Sequence, residues 1–395
     1  MAVFIPRTAP GDVVDARLEV RGRFARGSVI SLVEESPARV TPPCPHYTGD
    51  RCGGCQLQHL TYEAQLGAKR GIVRDAMQRI GRRAVDLEDV RPSPSPWRYR
   101  TKLTLALRRH GDGWIAGLHP FDNPDAVFPL EQCLITDDRV VGIWHEILRV
   151  SSLLPRSNRL RGSVRLTEGG AALSLEGGAQ WPTAAKLADR VPALTTVWWE
   201  PAGGRRRLIV DRRAEAAADS GTDDVKSPEA SFTQVNAAAA QLMHSHVVTV
   251  AMAYSPAVVI DAYAGTGATS IALADRGARV TAIELDPAAA RWAAAHLPAG
   301  SRCIVARVED ALGEALPADV VILNPPRAGV DERVTAALQQ PASARAIVYV
   351  SCNPATLARD VLRLPGYRVA SLTAFDMFPQ TAHVETVCEL VPEAA

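Results

Sequence analysis

Lysine is nearly missing from this chain: of 44 basic residues only four are lysine, and the rest are arginine. Long hydrophobic runs are missing as well. No stretch of about 18 apolar residues occurs, which argues against a transmembrane helix and a membrane partner. The opening residues, MAVFIPRTAPGD, lack the basic-then-apolar order of a secretory leader, so the cytoplasm is the expected compartment. An even complement of cysteines is lacking too. The seven are Cys44, Cys52, Cys55, Cys133, Cys303, Cys352 and Cys388. An odd number without a leader argues against a disulfide framework and for metal binding or catalysis at any cluster.

Net charge is only +1 and by itself points to no partner. Its distribution says more. Residues 1–110 hold 19 basic against 11 acidic residues, so they carry +8 and the remainder −7. A basic front on an acidic back suits a polyanion that docks on the front. Arginine abundance alone is the plainer explanation.

Residues 1–43 read as short alternating strands, VVDARLEV and GSVISLVEE, forming a small β unit. Residues 61–83 read as a helix, with Leu66, Val73, Met77 and Ile80 at helical spacing and Gly81 near its end. Strand-like runs between 95 and 210 (KLTLALRR, WIAGLHP, SVRLTE, TTVWWE) give an α+β central region, and 215–231 reads as a polar linker. Beyond it, AVVIDAY, ARVTAIEL, ADVVILN and AIVYVSC are continuous apolar runs separated by Ala-rich helical stretches. That alternation predicts a parallel, doubly wound α/β sheet with ligand at the carboxyl ends of its strands.

Four features of those strand ends carry chemistry. The first run closes in Asp261-Ala262-Tyr263-Ala264-Gly265-Thr266-Gly267, a turn that lets ligand approach the backbone. The second ends at Glu284, placed for ribose hydroxyls in a dinucleotide or an S-adenosylmethionine site alike. The fourth ends in Asn324-Pro325-Pro326-Arg327, a stiffened exit found in methyltransferases. Arg327 stands where amino-group methyltransferases usually carry a stacking aromatic, so another target atom is expected. The fifth ends at Cys352, ahead of a helical segment, ATLARDVLRL, whose N-terminus is expected to favour the thiolate. A buried structural cysteine is the competing reading. A thiolate added to carbon 6 of uracil gives carbon 5 the carbanion character it needs to take a methyl group. A base must then remove the carbon-5 proton. Glu385 is the first candidate and His383 the second.

The segments FTQVN (232–236), DAYAGTG (261–267), NPPRAGV (324–330), YVSCNPATLARD (349–360), DMFPQTAHVET (376–386) and CGGCQLQHL (52–60) together resemble the RNA 5-methyluridine methyltransferase family across nearly the whole chain. The resemblance implies a C-terminal Rossmann-like methyltransferase domain over 231–395. It also implies a central α+β domain over 44–230 and a partial TRAM or OB-like β module over 1–43. Cys352 then matches the nucleophile and Glu385 the base. Gln234, Tyr263, Glu284 and Asn324 match S-adenosylmethionine contacts, and Asp310 the acid near the adenine. Ala268 replaces a polar residue of some relatives, so one cofactor contact is expected to be absent.

Cys44, Cys52, Cys55 and the distant Cys133 are four thiols suited to zinc or a 4Fe–4S cluster. The spacing leaves both open, with zinc slightly ahead. The resemblance of CGGCQLQHL and Glu131-Gln132-Cys133 to the iron–sulfur branch implies the cluster, in a structural role. That branch implies RNA as partner, ribosomal favoured over transfer RNA, and a monomer. Arg21, Arg23 and Arg26 are candidates for phosphate contacts, and Arg98, Tyr99, Arg100 and Lys102 for lining the RNA path.

Overall fold

The computed structural model describes residues 1–213 and 234–393. The linker expected over 215–231 lies outside the described residues, as do Phe232 and Thr233 of the FTQVN segment. Two compact units are formed, each from separated stretches of chain. The first takes residues Met1–Gln65, 95–213 and Pro379–Ala382. The second takes Leu66–Pro94, 234–378 and 383–393. Among the described residues no helix is long and apolar enough to cross a membrane.

The first unit opens with a three-stranded sheet of β1 (Ala2–Phe4), β2 (Val13–Arg21) and β3 (Phe24–Glu34), in the order β1-β3-β2. A four-residue helix α1 (Pro45–Thr48) begins the cysteine loop. Helix α2 (Tyr62–Arg79) follows, as its apolar spacing predicts, and from Leu66 onward it belongs to the second unit. Val73 and Met77 are fully buried, while Ile80 falls past its end and is exposed. The larger sheet of the first unit has the order β10-β9-β8-β7-β4-β5-β6. Its strands are β4 (Lys102–His110), β5 (Gly113–Leu118), β6 (Phe128–Pro129), β7 (Arg159–Thr167), β8 (Gly170–Glu176), β9 (Leu194–Glu200) and β10 (Arg207–Asp211). Leu103, Leu105, Leu107, Val164, Leu173, Leu175 and Val197 alternate onto one face. They form a core with Val140, Trp144 and Ile147 of α3 (Asp138–Arg149) and Leu187 of α4 (Ala184–Arg190).

The second unit is the doubly wound sheet. Helices α5 (Ala237–Met252), α6 (Ala268–Ala274), α7 (Pro287–His296), α8 (Val308–Ala315), α9 (Glu332–Leu338) and α10 (Pro354–Leu362) alternate with strands. The strands are β11 (Val258–Ala262), β12 (Arg279–Glu284), β13 (Arg302–Val305), β14 (Ala318–Leu323), β15 (Ala344–Ser351), β16 (Tyr367–Phe375) and β17 (Glu385–Pro392). Their order is β13-β12-β11-β14-β15-β17-β16. β11 to β15 run parallel, and β17 is inserted antiparallel between β15 and β16. Both faces are covered, which is why these strands read as unbroken apolar runs. Ile260, Val321, Leu323 and Tyr349 pack with α2, α8, α9 and α10 on one side. Val259, Val320, Ile322 and Val348 pack with α5 and α6 on the other.

Candidate active site at the carboxyl ends of the strands

The turn after β11 carries Tyr263 in the left-handed region (φ +63°), an uncommon conformation for a bulky residue. Gly265 and Gly267 follow at φ +57° and +80°. A Cβ at Gly267 would lie 2.8 Å from that of Ala293, so only glycine lets the turn pack on α7. Glu284, at the end of β12, accepts Gly265 N–H at 2.8 Å through Oε2 and Asp286 N–H at 2.7 Å through Oε1. Its carboxylate therefore holds the glycine turn at the strand end. Burial pushes Asp261 up to about 6 even though Ser270 Oγ donates to it at 2.6 Å.

Tyr263, Glu284, Leu285, Arg307, Glu309 and Gly329 are among the residues around a cavity of about 720 Å³. That volume is within the usual range for a small-molecule site. The lining suits a nucleoside: a carboxylate at the second strand end and an aromatic ring. Asp310 does not line this cavity. Its exposed carboxylate pairs with Arg333 at 2.7 Å, and Glu309, one residue earlier on α8, lines it instead. Gln234 is half-buried at the start of the described second-unit residues, two positions before Asn236, the N-cap of α5. Asn324 is exposed at the end of β14, its N–H donating to Ala262 O at 3.3 Å.

Strand register brings the candidate nucleophile and base together. β15 and β17 pair antiparallel through Tyr349 with Cys388, Val350 with Val387 and Ser351 with Thr386. The ladder ends there, one residue before Cys352 and one after Glu385, and the Glu385 carboxylate acts on the Cys352 thiol. On its other side Glu385 pairs with Phe375. Leu323 pairs with Tyr349 on the parallel side, so the Asn324–Arg327 turn leaves the sheet beside the same strand end. Glu385 is buried at 4% exposure, whereas His383 is exposed. Burial pushes the Glu385 carboxyl up to about 7, with Arg327 opposing.

The Cys352 thiol departs from expectation. Pro354 occupies the first turn of α10 and Asn353 caps it, donated to by Ala355 N–H at 3.1 Å, so the helix terminus follows the cysteine as the sequence predicts. The thiol pKa is nevertheless raised. Desolvation is the largest cause and the Glu385 carboxylate the second, and the Arg327 guanidinium, in hydrogen-bonding reach, pulls the other way.

The contact of Arg327 with Cys352 is one that the sequence left unseen, and the contacts of Asp360 are another. Fully buried, it accepts Tyr349 Oη at 2.7 Å and Val330 N–H at 3.0 Å and pairs with Arg359 at 2.8 Å. It thereby fastens the turn after Arg327 to α10. Gly329 (φ +79°) lies so close that a Cβ there would meet Asp360 Oδ2 at 2.3 Å. A buried ion pair of Lys69 from α2 with Asp376, reinforced by Lys69 Nζ donating to Phe378 O at 3.0 Å, holds the end of β16.

In the first unit, Cys44, Cys52 and Cys55 are buried and Cys133 is half-buried. The four come within electrostatic reach of one another, and the buried thiols of Cys52 and Cys55 are pushed up to about 11 and about 12. Gly54 N–H donates to Cys52 Sγ at 3.4 Å and Thr136 Oγ1 to Cys133 Sγ at 3.2 Å. Donors aimed at sulfur, with sulfur as the whole donor set, suit thiolates bound to iron or zinc. Among the described residues no group of three or more His, Cys, Asp or Glu has closed to metal-ligating geometry. Arg7 reaches the loop from the N-terminal sheet side, donating to Cys52 O at 3.0 Å and stacking over Tyr47 and Phe121 at 3.9 and 4.5 Å.

Comparison with known proteins agrees with this geometry. The family model for tRNA (uracil-5-)-methyltransferase matches residues 299–391. An uncharacterized RNA methyltransferase of Halalkalibacterium halodurans is 30% identical, over 98% of this chain and 92% of the relative. One of Bacillus cereus is 31% identical over the same shares. The crystal structure of Pyrococcus abyssi tRNA (uracil-54, C5)-methyltransferase with S-adenosyl-L-homocysteine superposes with a TM-score of 0.70 at 25% identity, covering 99% of this chain and 96% of that one.

Proposed function

We propose, for a chain that belongs to the S-adenosylmethionine-dependent RNA uracil-5 methyltransferase family, that Cys352 is the nucleophile and Glu385 the base in methylation of a uridine in large-subunit ribosomal RNA. The observation that supports the reading is the β15–β17 ladder, whose last pair, Ser351 with Thr386, adjoins Cys352 and Glu385, together with the effect of the Glu385 carboxylate on the Cys352 thiol.

The Cys352 thiolate adds to carbon 6, forming an S–C bond and moving the ring electrons to carbon 5 and oxygen 4. S-adenosylmethionine, when bound, would supply the electrophilic methyl group that carbon 5 takes up, with the S–CH3 bonding pair left on sulfur as S-adenosylhomocysteine. The Glu385 carboxylate then removes the carbon-5 proton. The electron pair left behind re-forms the C5–C6 double bond as the S–C bond breaks, returning the thiolate. Arg327 holds two potential anions in one site during this cycle. For the cofactor, Glu284 and Tyr263 line the cavity and would suit the ribose hydroxyls and the base, while Gln234 and Asn324, which do not line it, are contacts that the resemblance implies. Glu309 is better placed than Asp310 to meet the adenine.

Cys44, Cys52, Cys55 and Cys133 would hold a 4Fe–4S cluster in a structural role, and none of the steps above requires an electron. The cluster set favours ribosomal RNA. The second reading, transfer RNA, is supported by the Pyrococcus neighbour, whose substrate is tRNA uracil-54. Labelled methyl transfer to unmodified ribosomal and transfer RNA in parallel, followed by nucleoside mass analysis, decides between them. 5-Methyluridine in ribosomal RNA alone is the expected result. A signal confined to transfer RNA keeps the chemistry and reverses the substrate. Absence of 5-methyluridine from both RNAs, with iron-loaded protein, refutes the reading.

A further inference from the structure

The N-terminal sheet ends in a free edge. β3 lies between β1 and β2, so the outer side of β2 is paired with no strand among the described residues. β2 is nine residues long and carries neither proline nor lysine. Its ladder with β3 is irregular at two points, and both put the extra residue, Ile30 or Val33, on β3. β2 itself runs regular from Val13 to Arg21, about 30 Å of strand whose outward backbone groups have no ladder partner. Proline, lysine and bulges are the usual protection of such an edge, and β2 has none of them.

Strand alternation divides β2 into two sets of side chains. Val14, Ala16, Leu18 and Val20 share a face with their cross-strand partners Leu32, Val29, Gly27 and Ala25. This face is apolar yet open, with Leu18 45% and Val20 67% exposed. Asp15, Arg17, Glu19 and Arg21 share the other face and are all exposed. Within the chain Glu19 pairs with Arg21 at 3.1 Å, two residues along the same strand, and Asp15 accepts Ser31 Oγ at 2.8 Å. An exposed ion pair of this kind contributes little, so these charges are open to exchange of partners.

The order acid, base, acid, base on that face is complementary to itself when reversed. Let β2 lie antiparallel to a copy of itself with Leu18 opposite Leu18. Arg17 then meets Glu19 of the second copy and Asp15 meets its Arg21, and the twofold axis repeats both, giving four contacts of opposite charge. On the other face Ala16 meets Val20 of the second copy, so apolar side chains oppose apolar ones throughout. Neighbouring registers fail. A shift of two residues sets Arg17 on Arg17 and Asp15 on Glu19, or Glu19 on Glu19 and Arg17 on Arg21, and like charges directly opposite destabilise a sheet. A shift of one residue sets charged side chains against the apolar set.

We infer that the free edge of β2 docks a second copy of this chain, joining two three-stranded sheets into one across a twofold axis at Leu18. Docking here is independent of the enzymatic reading and replaces the monomer that the resemblance implies. A ladder of about seven residues is small for a permanent dimer, so association depends on concentration.

Sedimentation of the full chain from about 1 to about 100 µM tests this. The unaltered chain is expected to pass from one chain mass to two as concentration rises. Arg17→Glu turns two of the four contacts into Glu against Glu, and Glu19→Arg turns the same two into Arg against Arg. Each is expected to raise the dissociation constant by about tenfold or more. Mixed in equal amounts, the two variants oppose Glu at 17 to Arg at 19 and Arg at 17 to Glu at 19, so all four contacts are again of opposite charge. The mixture is expected to associate as the unaltered chain does, which also shows that both variants are folded. An unaltered chain that stays at one chain mass at the highest concentration overturns the inference. Dissociation constants unmoved by either substitution overturn it too, because the contact then lies elsewhere. A mixture as weak as its separate components overturns the proposed register.

Discussion

Replacing Glu385 with Gln separates the energetic cost of the base from its chemistry. The carboxyl is buried at 4% exposure and its pKa rises from 4.5 to about 7, chiefly through desolvation. Between those values the folded chain keeps a proton that the unfolded chain has released. Stability attributable to this group therefore falls as pH rises from about 4.5 to about 7 and stays low above it. The shift of about 2.5 pKa units corresponds to a penalty of about 3 kcal/mol, most of it absent at pH 5 and all of it present at pH 8. Glutamine does not titrate and escapes it. Relative to the unaltered chain, Glu385→Gln should gain about 2 kcal/mol more at pH 8 than at pH 5, widening the gap in thermal midpoint by roughly 5 °C. Comparing the two proteins pairwise at each pH cancels the intrinsic cost of burying an amide. Chemically, Glu385→Gln should still add to uracil and accept the methyl group but fail to eliminate. A denaturation-resistant protein–RNA adduct should accumulate on ordinary uridine RNA. A midpoint difference that is the same at both pH values would refute the buried, proton-holding carboxyl. Normal turnover would refute its role as base.

Two further substitutions probe the supports of the site. Arg327→Gln removes the cation that draws both Cys352 and Glu385 downward, so the rise of single-turnover rate with pH should move to the alkaline side. The rate at pH 7 should fall, with Arg327→Lys recovering part of it, and an unmoved profile would sink this role. Lys69→Met leaves Asp376 charged and buried without its partner, which should cost about 3 to 5 kcal/mol in denaturant unfolding. The double variant Lys69→Met with Asp376→Leu should regain most of that. Equal losses in the single and double variants would show that the pair is not the cause.

What the sequence disclosed was local. Continuous apolar runs announced the parallel strands because both sheet faces are covered, and the 3.6-residue spacing of Val73 and Met77 announced α2. Turn chemistry located Tyr263, Glu284 and Asn324 at strand ends. What stayed hidden depends on long-range register or on burial. The pairing of Lys69 with Asp376 spans 307 residues and has no local signature. The antiparallel insertion of β17, which brings Glu385 to Cys352, is equally non-local. The thiol pKa was misjudged because desolvation is a property of tertiary packing, while the helix terminus is visible in sequence. Asp310 and Glu309 differ by one position, about 100° around a helix, and only the phase of α8 decides which faces the cavity. Of the four residues expected along an RNA path, Tyr99 is buried and donates to Pro379 O, because aromaticity does not reveal direction.

The interior position of β17 has a consequence for the enzyme's survival. A site whose nucleophile works while its base is displaced would bond to RNA and never let go, so each such event would remove one enzyme molecule and one transcript from use. Edge strands fray most readily, and β17 is not an edge: β15 and β16 clamp it on both sides. Slippage by one residue would turn Glu385 to the opposite sheet face, so the base has no half-displaced position. On the proposed roles, the ladder therefore acts as a safety interlock, since shifting Glu385 by register means breaking the pairing of β17 with both neighbours.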